Sequence, residues 1–105
     1  DLLVKVDQKP ASDVLSRGQQ KVLICALKIA QGILHSSLVG DKCIYLIDDL
    51  PAELDEKNRS NILGVLVDLE CQLIITCVDL DSIESCLSAG VEKRTFHVER
   101  GTILD

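Results

Sequence analysis

The most pronounced pattern in the chain is a long apolar helical stretch from about Arg17 to Leu34. It starts abruptly from a short polar turn, Ser-Arg-Gly-Gln-Gln-Lys. After it the chain alternates between short apolar runs and amphipathic segments. "KCIYLID" and "CQLIITCV" read as buried strands, each bounded by polar turns. Between them, "DEKNRSNILGVLVDLE" places Ile62, Leu63, Leu66 and Leu69 at helical spacing behind a charged start. "DLDSIESCLS" predicts a short helix with Asp81 as cap and Glu84 as its capping-box partner. "RTFHVERGTILD" predicts a hairpin turning at Arg100-Gly101, and "LLVKV" near the start predicts a weak opening strand.

Continuous apolar strands separated by helices imply a mainly parallel sheet covered on both faces. The expected fold class is therefore α/β, with helices flanking the sheet and a C-terminal β-hairpin. No repeat, low-complexity run or linker interrupts residues 1–105, which read as one domain piece. The chain has no Met and begins at Asp1, so it is expected to be a fragment of a longer protein. No apolar run is expected to approach the roughly 20 residues that span a bilayer.

Composition narrows the picture. Apolar residues make up 47% and aromatics 2%, so the core must be built from Leu, Ile, Val, Ala and Cys. The five cysteines are odd in number, sit in apolar segments and form no C-x-x-C, which predicts buried, reduced thiols in a cytoplasmic protein. His35 and His97 lie far from any paired ligand pattern, so no zinc site is expected. A net charge of −6 argues against nucleic-acid binding by bulk electrostatics of this segment alone.

Two places could carry chemistry. Ser16 stands three residues before Gln19, the spacing of a capping box, and Gly18 removes a side chain where the turn would meet a ligand. The free N–H groups and dipole of such a helix start attract phosphate, and Lys21 adds a nearby positive charge. The simpler reading is a capped helix with a tolerated glycine. Asp48 and Asp49 leave the carboxyl end of a buried strand, where open α/β sheets bind their ligands. One carboxylate there can hold Mg²⁺ while its neighbour orients or deprotonates a water. The simpler reading is a solvated turn stopped by Pro51. Asp55, ahead of the next helix, reads as its N-cap. A helix of roughly 18 residues spans about 27 Å, so the polar turn and the Asp pair are expected to be able to lie well apart.

The ordered set Leu15-Ser16-Arg17-Gly18-Gln19, Cys43 to Asp49 ending in Asp-Asp, and Glu53-Leu54-Asp55 resembles the second lobe of an ABC-type ATPase head. Within that class, Arg17, the Asp-Asp pair, "AELDEKNR" and the closing "FHVERGTI" are most similar to the RecF family of bacterial recombinational repair. The resemblance covers about Asp13 to Asp105 and implies a partial P-loop NTPase fold, the C-terminal part of the head. It implies that Ser16, Arg17, Gly18 and Gln19 are the signature motif, reaching ATP held mainly by another subunit. It further implies that Asp48 is the Walker B carboxylate serving Mg²⁺, that Asp49 stands at the catalytic carboxylate position, and that Asp55 belongs to the D-loop. The family binds ATP and single-stranded, double-stranded and gapped DNA. It dimerises on ATP, works with RecR, and helps load recombinase at gaps.

Three departures qualify that pattern. No G-x-x-x-x-G-K-[S/T] occurs, so the Walker A lobe is expected outside this segment. Cys77 occupies the position where many relatives carry a switch histidine. Asp49 is also one methylene shorter than Glu, which implies slow hydrolysis in the intact protein and none by this segment alone. The competing readings are a condensin-like or Rad50-like head, which would carry coiled-coil arms, and a non-catalytic interaction module with decayed site residues.

Overall fold

A computed structural model describes residues 4–104. Leu2 and Leu3 of the expected opening strand lie outside the described residues. Strand β1 (Lys5–Val6) pairs antiparallel with β2 (Lys9–Pro10), a small hairpin the sequence reading did not anticipate. A single turn, α1 (Ala11–Val14), leads into the long helix α2 (Arg17–Val39). Strand β3 (Tyr45–Ile47), the short turn α3 (Leu50–Glu53) and helix α4 (Glu56–Asp68) follow. Strand β4 (Leu73–Ile75), the turn α5 (Asp81–Glu84) and the hairpin β5 (His97–Glu99) and β6 (Thr102–Leu104) complete the order.

Helix α2 has 23 residues and runs five past the expected end. The Ser37 hydroxyl donates to the Leu34 carbonyl within the last turns, and Gly40, in the left-handed region, closes the helix. By length and composition it could cross a membrane, which corrects the expectation that no segment comes near that length. Its inner stripe, Val22, Cys25 and Ile29, instead joins the core.

The core is a cluster of Ile29, Leu50, Leu54, Ile62, Leu63, Leu66 and Ile83. Against it lie Tyr45 and Ile47 of β3 and Leu73 and Ile75 of β4, which pair in parallel with Tyr45 opposite Leu73 and Ile47 opposite Ile75. Strand alternation turns Leu46 and Ile74 to the other face, where they are 74% and 49% exposed. The expectation of a sheet covered on both faces is thus corrected among the described residues. The parallel sheet has two strands, and α2 and α4 share its one covered side. All five cysteines are free, in line with the expectation of reduced thiols, but half-buried rather than buried.

Tyr45 fixes how α2 lies on the sheet. Its hydroxyl donates to the Ile29 carbonyl at 3.2 Å, and a Cβ on Gly32 would sit 2.1 Å from that oxygen. Only glycine admits the ring there. One strand step earlier, the Cys43 thiol reaches the Gly32 carbonyl at 3.6 Å. Residues advancing along β3 therefore meet residues receding along α2, so the two elements run antiparallel.

The short helix α5 departs from its expected capping. Leu80 holds the cap position without a side-chain bond, and Asp81 is the first helical residue. The capping role falls to Asp79, whose carboxylate accepts from the Asp81 amide at 3.1 Å. The terminal hairpin forms as expected. Arg100 and Gly101, at φ 51° and 77°, make the two-residue turn that suits strand twist.

Candidate nucleotide and metal site

The polar turn ahead of α2 is a complete capping box. The Ser16 hydroxyl accepts from the Gln19 amide at 3.2 Å, and the Gln19 side-chain carbonyl accepts from the Ser16 amide at 2.9 Å. Gln20 anchors the turn from the other side, donating to the carbonyls of Leu15 at 3.0 Å and Ser12 at 3.3 Å. Ser16, Arg17, Gly18 and Gln19 are all exposed. A Cβ added at Gly18 would meet nothing within 4 Å. No neighbour within the described residues demands a glycine there, in contrast to Gly32.

Asp48 and Asp49 emerge where β3 ends. Asp48 is exposed and Asp49 half-buried. Asp49 adopts the left-handed conformation, φ 52° and ψ 52°, a state that Asp tolerates better than most residues, and so turns the chain sharply into α3. Pro51 sits in the first turn of α3, where its missing N–H costs little. Thr76, one residue beyond β4, links the pair. Its hydroxyl accepts from the Asp49 amide at 2.8 Å and donates to Asp48 Oδ1.

Burial pushes the Cys77 thiol pKa up, and the negative charges of Asp79 and Asp49 push it further. Asp55 caps α4 by accepting from the Asn58 amide at 2.9 Å, as its position suggested. Arg59 reaches back from α4 to the Leu54 carbonyl at 2.8 Å, holding the segment between α3 and α4.

The polar turn and the Asp pair are linked through one ion pair between their neighbouring segments. Because α2 runs antiparallel to β3, the start of the helix lies toward the carboxyl end of the strand. Lys21, one turn into α2, makes an ion pair with Glu53 of α3 at 3.2 Å. Sequence reading noted Lys21 only as a nearby charge and missed Thr76. The available signal for Thr76 was a polar residue at the outward-facing position of "LIITC", at the end of an otherwise apolar strand.

Among the described residues, no group of three or more His, Cys, Asp or Glu side chains could enclose a metal. What Asp48 offers is one carboxylate oxygen engaged by Thr76 and a second that no hydrogen bond reaches within the described residues. That suits Mg²⁺, which binds through one or two carboxylates with waters and phosphate oxygens completing its shell.

The chain is a mixed α/β domain with a capped helix start and a carboxylate pair at the end of a parallel strand. The family model described as "RecF/RecN/SMC N terminal domain" matches residues 5–103, and the chain belongs to that family. Membership places it in the ABC-type ATPase class of P-loop folds. Proteins named "DNA replication and repair protein RecF" are its relatives. That of Pseudomonas entomophila (strain L48) is 47% identical over 103 residues, and that of Azotobacter vinelandii (strain DJ / ATCC BAA-1303) is 48% identical. Each alignment covers 98% of this chain and 28% of the relative. The chain thus spans little more than a quarter of the length of the proteins it matches. The matched family is described as an N-terminal domain, which gives no support to the C-terminal placement expected from the sequence. No solved structure matches the chain.

Proposed function

We propose that this chain is the signature-motif and Walker B half of a RecF-like, ATP-dependent DNA-repair protein. The observation that carries the reading is the family match over residues 5–103 together with the formed capping box at Ser16–Gln19 and the Thr76-linked Asp48–Asp49 pair at the end of β3. Gly18 strengthens it. The described residues set no requirement for glycine at this position, whereas a phosphate approaching the helix start would.

In this reading Ser16, Arg17, Gly18 and Gln19 meet the terminal phosphate of ATP held mainly by a second subunit. Asp48 supplies the carboxylate for Mg²⁺, which neutralises phosphate charge when bound. Asp49 occupies the position from which a water is oriented or deprotonated. Its shorter reach than Glu suits slow turnover, and this chain alone is inactive. Asp55 marks the D-loop beside the dimer interface. The intact protein then dimerises on ATP, binds single-stranded, double-stranded or gapped DNA, cooperates with RecR in recombinase loading, and acts in the cytoplasm. The net charge of −6 argues against DNA binding by the bulk electrostatics of this chain, so the reading assigns the DNA-binding surface to the rest of the intact protein.

The test is Ser16→Arg in the full-length protein, with ATP-dependent dimerisation followed by sedimentation. The larger cationic side chain should block the composite site and abolish dimerisation while leaving the monomer folded. A variant that dimerises on ATP as the parent does would overturn the reading.

A further inference from the structure

We propose that Thr76 is a positioning residue, holding the Asp48 carboxylate in one orientation and the Asp49 backbone in its left-handed turn. The inference rests on the reading of Asp48 as the Mg²⁺ carboxylate and adds to it a side chain from the neighbouring strand.

Strand geometry puts Thr76 where it can do this. Ile75 and Cys77 face the core, so Thr76 faces out at the carboxyl edge of the sheet. Its amide donates to the Ile47 carbonyl at 2.9 Å, continuing the parallel ladder one step past β4. That bond fixes the Thr76 backbone beside Asp48.

The hydrogen-bond inventory then determines the direction of each contact. The Asp49 amide can only donate, so at 2.8 Å the Thr76 hydroxyl is its acceptor. The hydroxyl has one proton, and that proton is directed to Asp48 Oδ1. One side chain therefore satisfies the amide at the sharp turn and pins one oxygen of the carboxylate. The other oxygen, Oδ2, is left for a cation. Groups that orient a metal ligand from behind commonly change metal affinity or activity about 10- to 100-fold when removed.

The experiment uses the full-length protein that contains this chain. Binding of a fluorescent ATP analogue is titrated with Mg²⁺ for Thr76→Val, Thr76→Ser and Asp48→Asn, with thermal melts confirming that each variant is folded. Thr76→Val should raise the Mg²⁺ concentration for half-maximal binding about 10- to 100-fold. Thr76→Ser, which keeps the hydroxyl, should restore it. Amide exchange at Asp49 should quicken in Thr76→Val alone, a change that does not depend on nucleotide. Thr76→Ala serves in place of Val should the valine variant misfold. A shifted Mg²⁺ requirement in Asp48→Asn with none in Thr76→Val would overturn the inference and leave the function intact. An unshifted Asp48→Asn would overturn both.

Discussion

Lys21 of α2 and Glu53 of α3 form an ion pair, Nζ to Oε2 at 3.2 Å, that joins the first turns of α2 to the segment just past the Asp pair. Their side chains are 35% and 53% exposed, so solvent screens the pair and its contribution to stability is small, below about 1 kcal/mol. Its consequence is geometric, because it links the two halves of the candidate site across elements far apart in sequence. Lys21→Glu should therefore cost more than Lys21→Ala, since it sets two carboxylates against each other. Combining Lys21→Glu with Glu53→Lys should restore most of the loss. A double-mutant cycle by urea unfolding measures this coupling, which should shrink in about 1 M salt.

Gly18 and Gly32 are both in α2, and substituting them should give opposite outcomes. At Gly32 an added Cβ would sit 2.1 Å from the Tyr45 hydroxyl, so Gly32→Ala displaces the ring and its bond to Ile29. A loss of about 1–3 kcal/mol is expected. At Gly18 the added methyl meets nothing, and replacing a helical glycine by alanine should stabilise the chain by about 0.5–1 kcal/mol. The same Gly18→Ala should weaken ATP-dependent dimerisation of the intact protein. Thermal unfolding and sedimentation in parallel separate the two effects. A Gly18→Ala protein both destabilised and fully dimerising would contradict the assignment.

How far the chain could be read in advance follows from where its signals are local. The capping box at Ser16–Gln19, the Asp55 cap and the Arg100-Gly101 turn each depend on residues within a few positions of one another, and all three form as read. The Asp7-Gln8 turn was missed because it takes two positive φ angles without a glycine to announce them. The uncovered sheet face was missed because Leu46 and Ile74 are as apolar as their inward neighbours. Alternation cannot be seen in a run with no polar positions. The approach of α2 to the Asp pair depends on Tyr45 meeting Gly32, a contact between residues that carry no mutual signal in sequence. Thr76 depends on the strand register, which only the paired structure supplies.

The outward face of the parallel sheet should make the isolated chain adhesive. Leu46 and Ile74 sit side by side in register, and Ile44 beside them is 58% exposed. Such a contiguous apolar patch favours association in water. The isolated chain is expected to self-associate with rising concentration, and Leu46→Lys should shift it toward monomer without lowering the unfolding midpoint. Sedimentation equilibrium on both proteins checks this. A parent chain that stays monomeric at high concentration would argue against an exposed adhesive face.

Alkaline pH should destabilise the chain in a defined window. Burial raises the pKa values of Cys25, Tyr45 and Cys77 above their ordinary values of 9.0, 10.0 and 9.0. Each group is therefore easier to deprotonate in the unfolded chain than in the folded one. Below about pH 7.5 all three are protonated in both states, and their full contribution to stability is present. As pH rises through 9.0 and then 10.0, the unfolded state loses protons first and stability falls, until the folded groups titrate too. Tyr45 adds a structural reason, because a phenolate can no longer donate to the Ile29 carbonyl. Tyr45→Phe should be less stable than the parent near pH 7, by roughly 1 kcal/mol for the lost hydrogen bond, and should lose less between pH 9 and 10.5. Asp49→Asn removes one of the two charges that oppose the Cys77 thiolate, so Cys77 should react faster with iodoacetamide near pH 8 in that variant. Unfolding midpoints across pH 7–10.5 and alkylation rates followed by mass spectrometry provide the check, and a Cys77 rate indifferent to Asp49→Asn would show that the Asp49 charge does not reach the thiol.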